Sequence, residues 1–414
     1  MGFINPGMEI LKLPSLSQIR DFGLSIKNIK IVDTIDELRN IPPNIIIAES
    51  IKNFEFVVDY VEKVFLKKHG KYIMALGLYN QLRNNGKNLL LKPAQVKFKN
   101  IYKPYTGQDL DNKSLLVFRT GGIGDLLFIQ PNLIYLKNKY PTCKIIFGCA
   151  KRYQSMVNQW DCVDEIISWP FQLNKMIEID YHAIFEGVIE RSAESKKVNA
   201  YHLFTRWLGL NLEDKYLIPK QSAEEISLSE CSRVLKTLGL KENEFILLQP
   251  RASSQVRTPN FETVWKKIIS DLMKDNIDVA IIDSPHASPQ IKKYIEKYFP
   301  NDRVFNLSEY SKDLSFMISF AKLSGMCLST DSSLIHIGAS LEKKIFGIYG
   351  PFPGNIRLDT YPNCDWVDAK LHCGPCFLHG HKECFNATSK GYSKCYDYLD
   401  FELTHEKIKK LFEK

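Results

Sequence analysis

The sequence predicts an α/β protein built around two sets of parallel strands. Three observations predict it. From Ser114 onward, short apolar runs of strand length alternate with longer segments of helical period. The alternation stops at a polar stretch and restarts near Phe245. The length of 414 residues gives room for two or more domains. Strands that alternate with helices pair in parallel through right-handed crossovers.

Taken in order, SLLVF (114–118) leads through a glycine-rich turn into a helix from about Gly124 to Lys139. KIIFGC (144–149), a second helix and DEIISW (164–169) follow; HAIFEG (182–187) adds a strand, and a helix runs from about Lys197 to Leu208. LEDKYLIPKQSAEEISLSE (212–230), polar and without a strong period, is the expected boundary. The second set opens with FILLQP (245–250), a helix over 261–274, DVAIID (278–283), a helix over 289–299, VFNL and a helix over 312–322. It closes with GMCLST (325–330), a helix opening at Asp331, and KKIFGIYG (343–350).

Residues 1–112 stand outside this alternation. Residues 54–83 have helical spacing broken near Gly70, and residues 85–107 read as strand and loop. The expected division is an N-terminal α+β accessory domain (1–112), two α/β domains (113–228 and 229–360) and a cysteine-rich finger with a C-terminal helix (361–414).

Hydrophobic residues at 44% and charged residues at 25% exclude a largely disordered chain. The net charge of +8 is concentrated: residues 51–105 hold eleven Lys/Arg against three acids, also +8, so the rest sums to zero. Lys63, Lys67, Lys68, Lys71, Arg83, Lys87, Lys92, Lys97, Lys99 and Lys103 form either a solvated face or a patch for an anionic acceptor or inner-membrane surface. No apolar run reaches the ~18–20 residues of a membrane span, and the opening MGFINPGMEILKLPS lacks signal-peptide order, so a cytoplasmic protein is expected.

Three segments carry the chemistry. In FRTGGIGDLLFIQPNLIYLKNKYP (118–141), Gly121, Gly122 and Gly124 let the backbone turn sharply between strand and helix, where a ligand can approach. Asp125 falls in the first helical turn, which favours a carboxylate, either as a simple stabilising acid or as a functional one. In LLQPRASSQVRTPNF (247–261), Arg251, Ser253, Ser254 and Arg257 lie on a loop at a strand's carboxyl end, suited to a diphosphate or to open solvent. In LSTDSSLIHIGASLEKKIFGIYGPFPG (328–354), Asp331, Ser332 and Ser333 form a helix cap that can also hold an anion; His336 lies one turn on, as a ligand contact or a satisfied core histidine.

A fourth segment is the finger. Cys373, Cys376, Cys384 and Cys395 follow C-x2-C-x7-C-x10-C, with His379 and His381 between, and suit tetrahedral Zn or Fe in a structural role or reduced structural thiols.

Together the first three segments resemble the heptosyltransferase-like glycosyltransferases, glycosyltransferase family 9. The first segment matches the family's R-x-G-G-x-G-D … P-x-L-x-x-L-K … Y-P pattern at Arg119, Gly121, Gly122, Gly124, Asp125, Pro131, Leu133, Leu136, Lys137, Tyr140 and Pro141. The third matches D-[ST]-G-x-x-H-x-A-A-A and a Y-G-P-T loop at Asp331, Ser332, His336, Ala339, Tyr349, Gly350 and Pro351, with Ser333 where Gly is usual. The second departs from the family, with Arg257 in the place of Lys and Thr-Pro-Asn-Phe after it.

The resemblance covers about 300 residues from Ser114 onward and leaves the N-terminal region uncovered. It implies a GT-B fold, two facing Rossmann-like domains with an active site in their cleft. It also implies inverting transfer from a nucleotide-diphospho-sugar co-substrate, ADP-heptose foremost, with no catalytic cofactor.

The motif's aspartate, here Asp125, is the implied general base. Gly121, Gly122, Gly124, Arg251, Ser253, Ser254, Arg257, Asp331, Ser332, Ser333, His336, Gly350 and Pro351 are the implied donor contacts. Some relatives that glycosylate bacterial autotransporters hold iron in such a finger. The acceptor is thus a glycan, a protein hydroxyl or a nucleic acid; a homo-oligomer and a non-catalytic nucleotide-sugar-binding scaffold both stay open.

Overall fold

The computed structural model of the chain describes residues 103–169, 179–300, 303–378 and 384–413, with three short strands before them. These are β1 (Ile29–Val32), β2 (Ile73–Met74) and β3 (Asn88–Leu91), in the order β1-β3-β2 with β1 parallel and β2 antiparallel to β3. Ile73 and Met74, in the segment with helical spacing, are therefore in a strand, paired with Leu91 and Leu90. Every lysine and arginine of the basic stretch except Lys103 lies outside the described residues.

Two compact units divide the chain. One comprises Met1–Gly121, Leu133–Ser192 and Phe204–Asn211; the other comprises Gly122–Asn132, Ala193–Leu203 and Leu212–Lys414. The first unit's main sheet holds β4 (Ser114–Phe118), β5 (Lys144–Ala150), β6 (Glu165–Trp169) and β7 (Tyr181–Ile184) in the order β6-β5-β4-β7, all parallel. β4 buries four consecutive residues, Leu115 to Phe118, as a strand covered on both faces must. Helix α1 (Ile123–Lys139) links β4 to β5. The helix expected after β5 is reduced to a 3₁₀ turn, Lys151–Tyr153, and one α turn, Gln154–Val157. α2 (Ala200–Trp207) follows β7.

The second unit's sheet contains β8 (Phe245–Gln249), β9 (Asp278–Ile281), β10 (Val304–Asn306), β11 (Met326–Thr330), β12 (Lys344–Tyr349) and β13 (Cys364–Asp368). Its order is β10-β9-β8-β11-β12-β13, again all parallel. Before it comes α3 (Glu225–Leu238), which takes up the end of the polar stretch expected to be a boundary. Its buried positions are Ser227, Cys231 and Leu235, so small polar side chains hid the helical stripe. The other main helices are α4 (Lys266–Lys274), α5 (Ser288–Tyr298), α6 (Leu314–Leu323), α7 (Ser333–Ser340) and α8 (Phe401–Glu413). β13 was not foreseen: of CDWVD only Val367 is buried, the composition of a strand at a sheet edge.

Each of these parallel sheets reverses its strand order once, between β4 and β7 in one and between β8 and β11 in the other. In open α/β sheets the carboxyl edge at such a reversal is where ligands bind, because the crossovers diverge there and leave a crevice. The core under the second sheet packs Ile246, Leu248, Val279, Ile281, Leu328, Phe346 and Ile348 against Trp265 and Ile408. Trp265 also donates its indole N–H to the Pro250 carbonyl at 2.9 Å, which anchors the start of the loop after β8. Among the described residues no helix is long and apolar enough to cross a membrane.

Candidate active site

The turn after β4 is braced from inside. Arg119 is buried and donates from Nε to the Gly121 carbonyl at 3.1 Å and from Nη1 to the Phe185 carbonyl at 2.8 Å. Its Nη1 also lies 3.6 Å from the buried Glu186 carboxylate. Glu186 in turn accepts from the Thr120 amide at 2.5 Å and from the Thr120 hydroxyl. Arg119 and Glu186 thus tie the ends of β4 and β7 together at the switch point.

The three motif glycines face the protein's own side chains. A Cβ at Gly121 would stand 2.6 Å from the Tyr153 ring, and one at Gly124 would stand 2.6 Å from the His336 ring. Gly122 has φ +85°, and a Cβ there would strike the Asp125 carboxylate. The room these positions leave is therefore filled by Tyr153, Asp125 and His336. Asp125 occupies the first turn of α1, as expected.

At the second switch point Gln249 is the hub. Its Oε1 accepts from the Ser332 hydroxyl at 2.8 Å, the Ser333 hydroxyl at 3.2 Å and the Leu334 amide at 3.0 Å. Ser332 is the N-cap residue of α7, but its side chain does not cap the helix. A side chain from the neighbouring strand supplies that acceptor, so both serine hydroxyls are held by Gln249.

Below this cap lies a buried ion cluster. Arg257 donates from Nη1 to the Asp331 carboxylate at 2.9 Å and to the Asp331 carbonyl at 3.1 Å, and from Nη2 to the Ser253 hydroxyl at 2.8 Å. Arg357 approaches the other Asp331 oxygen at 3.3 Å. Burial alone would raise the Asp331 carboxyl, but the two arginines outweigh it and hold it well below the ordinary range. Two guanidinium charges against one carboxylate leave the cluster at +1.

The loop residues divide. Ser253 and Arg257 join Asp331; Ser254 is buried, and its carbonyl accepts from the Arg257 amide. Arg251 instead makes a two-pronged pair with Asp283, both contacts at 2.8 Å, with its side chain 40% exposed. After the loop Asn260 caps a π turn, Phe261–Trp265, by accepting from the Glu262 amide at 2.9 Å. That is the local use of the Asn-Phe that departs from the family pattern.

His336 is buried on α7 with its Nδ1 2.7 Å from the Tyr361 hydroxyl, which is 2.8 Å from the Tyr201 hydroxyl. Burial lowers its pKa to about 4; the Asp331 and Asp125 carboxylates pull it upward, and Arg357 and Arg257 push it down. The ring is therefore neutral near neutral pH.

Gly350 packs under the C-terminal segment: a Cβ would lie 2.7 Å from the Cys395 sulfur and 2.8 Å from the Tyr396 ring. The Pro351 carbonyl accepts from the Phe377 amide at 2.8 Å. Tyr396 donates to the Arg257 carbonyl at 2.9 Å and Ser393 to the Val256 carbonyl at 2.8 Å, so the end of the finger fastens the loop after β8.

All four finger cysteines are free thiols. Burial pushes the Cys395 thiol up to about 12, with Cys376, Cys384 and Cys373 adding to the shift. Among the described residues no three His, Cys, Asp or Glu side chains converge closely enough to hold a metal ion. The expected tetrahedral donor set is thus not assembled from these residues; His379 and His381 lie outside the described residues.

Five further side chains that the sequence did not single out shape these sites. Glu186, Gln249 and Tyr201 sit just past a strand end, at a strand's last residue and on a helix. Arg357 and Tyr361 lie in and just after a single helical turn, Asn355–Leu358. Only Glu186 and Gln249 carried a usable signal, as polar residues closing apolar runs.

Residues 189–383 match the model of glycosyltransferase family 9 (heptosyltransferase). No curated protein matches by sequence. Among solved structures the chain resembles a family 9 glycosyl transferase from Veillonella parvula, with TM-score 0.58 and 11% identity over 74% of this chain and 99% of that one. It also resembles the iron-containing dodecameric glycosyltransferase TibC from enterotoxigenic E. coli, with TM-score 0.50 and 13% identity over 75% and 80%. A third likeness is E. coli ADP-heptose lps heptosyltransferase II, with TM-score 0.49 and 13% identity over 73% and 98%. The resemblance read from the three motifs, the α/β fold with two parallel sheets and the glycosyltransferase class are borne out.

Two outcomes follow from this electrostatics. Asp331→Asn leaves two buried guanidiniums without their counter-charge and is expected to cost roughly 3–5 kcal/mol in urea unfolding. His336 is neutral in the fold down to about pH 4, whereas in the unfolded chain it takes its proton near pH ~6.5. Between those values the unfolded state binds more protons, so its contribution is complete above the upper value and is lost as pH falls toward the lower. Urea midpoints measured across this window should fall more steeply for the native protein than for His336→Gln.

Proposed function

We propose that this chain, whose residues 189–383 match the model of glycosyltransferase family 9, moves a sugar from a nucleotide-diphospho-sugar to a hydroxyl of a glycan or protein acceptor. The transfer inverts the anomeric centre and uses no catalytic metal ion, and the donor is ADP-heptose. One observation carries the proposal: both main sheets place their motif residues at the carboxyl edge of a strand-order reversal. Asp125 follows β4, and the Arg257–Asp331–Arg357 cluster with the start of α7 follows β8 and β11. The donor assignment draws support from TibC, which has been solved with ADP-D-β-D-heptose.

In this reading the Asp125 carboxylate takes the proton of the acceptor hydroxyl as its oxygen attacks the anomeric carbon. The bond from that carbon to the diphosphate breaks, and the nucleotide diphosphate leaves with the extra negative charge. Amide groups at the start of α7 and the +1 charge of the arginine cluster beneath it meet that charge, in the role a divalent ion has in other transferases. Arg251, on the same loop and 40% exposed, has its charge matched by Asp283 and so offers N–H donors without adding net charge. A zinc or iron ion at the finger would need Cys373, Cys376, Cys384 and Cys395 to converge first, and no step of the transfer is routed through one.

Asp125→Asn keeps the size of the side chain and removes its basicity. Transfer from ADP-heptose, followed as acceptor-dependent ADP release, is expected to drop by about 10²-fold or more, with calorimetric ADP binding unchanged. Turnover near the native rate would remove Asp125 from the role of base.

A further inference from the structure

The hydrogen-bond chain Tyr201–Tyr361–His336 takes no part in the mechanism above, yet it is buried throughout and ends beside the Asp125 turn. Tyr361 and His336 are each 5% exposed and Tyr201 is fully enclosed. The Tyr201 and Tyr361 hydroxyls are 2.8 Å apart, and Tyr361 lies 2.7 Å from Nδ1 of His336. Asn199 donates to Asp359 at 2.7 Å, a second bond between the same two segments that holds the phenols in place. Phe128 of α1 packs edge-to-face with both Tyr201 and His336, with ring centroids 4.4 and 4.7 Å away.

The other edge of the imidazole faces α1. A Cβ at Gly124 would stand 2.6 Å from Cδ2 of His336 and 3.1 Å from Nε2. The nitrogen not bound to Tyr361 is therefore directed at the turn that carries Asp125. What it offers there depends on its proton, since a neutral imidazole has one donor nitrogen and one acceptor nitrogen. A phenol is a stronger acid than an imidazole N–H, and an imidazole nitrogen a stronger base than a phenol oxygen, so Tyr361 donates to Nδ1. The hydrogen then resides on Nε2.

We propose that Tyr361 and Tyr201 are positioning residues that fix His336 as the neutral Nε2–H tautomer, so that it presents an N–H donor to a sugar-substrate oxygen beside Asp125. The inference rests on the reading of Asp125 as the base, but the tautomer is observable without turnover. Loss of the relay frees the ring to move its proton to Nδ1 and turn a bare lone pair toward the substrate, which weakens the reacting arrangement more than donor binding.

The test uses the full chain labelled with ¹⁵N-histidine, with the His336 signals assigned by loss in His336→Gln. Two-bond ¹⁵N–¹H spectra near neutral pH should show Nδ1 unprotonated and Nε2 protonated. Tyr361→Phe should turn this into a mixture or the opposite tautomer and lower kcat with ADP-heptose about tenfold, near 1.4 kcal/mol of barrier, with KM for the donor little changed. Tyr201→Phe removes only the outer hydroxyl and should shift both readouts in the same direction by less; it carries the test should Tyr361→Phe fail to fold. An Nδ1–H tautomer in the native protein, or folded variants with native kcat and tautomer, would overturn the proposal. Absence of turnover by the native protein with every nucleotide sugar would defeat the transferase reading instead and leave the tautomer result standing.

Discussion

A single carboxylate, buried between two arginines, organises the carboxyl edge of the second sheet. Asp331 ends the run out of β11, and its charge is affordable in the interior only because Arg257 and Arg357 both reach it. That requirement fixes where the loop after β8 must fold, since Arg257 has to come down upon Asp331, and its Nη2 then brings Ser253 along. It also sets the position of the turn after β12 that carries Arg357. The hydroxyl of Tyr396 and that of Thr330 complete the arrangement by taking the Arg257 carbonyl as a common acceptor, each at 2.9 Å. The C-terminal segment is thus part of the site's support.

The second constraint is steric. Gly124 is bare because the His336 ring occupies the space a side chain would need. His336 in turn is oriented by Tyr361 and kept neutral chiefly by its burial. A glycine in a phosphate-type turn usually implies a ligand at close quarters, and here one of the three motif glycines instead admits a histidine from another motif. Two motifs that are about two hundred residues apart in the chain therefore belong to one packing unit.

Much of this was legible in the amino-acid order. The strands came through because parallel strands buried on both faces leave uninterrupted apolar runs, as in FILLQ and MCLST. The three motifs came through because turns at strand ends need glycine, proline and small polar residues. What did not come through was partnership. Nothing in the order of residues says that Arg257 turns inward to Asp331 while Arg251 turns aside to Asp283, or that Gln249 caps α7 in place of Ser332. β13 and α3 escaped because a sheet edge bears charges and because Ser227 and Cys231 supply buried positions without looking apolar. The cysteine spacing suggested a closed metal site, whereas the described residues assemble no such donor set.

The most direct measurement is a crystal structure of the chain with ADP-heptose bound. The diphosphate is expected against the loop of residues 251–258, with its oxygens within hydrogen-bond reach of the Ser332 and Ser333 amides at the start of α7. A diphosphate held instead by the Arg119–Gly124 turn, with the α7 terminus left bare, would contradict the assignment of donor binding to the Asp331 cluster.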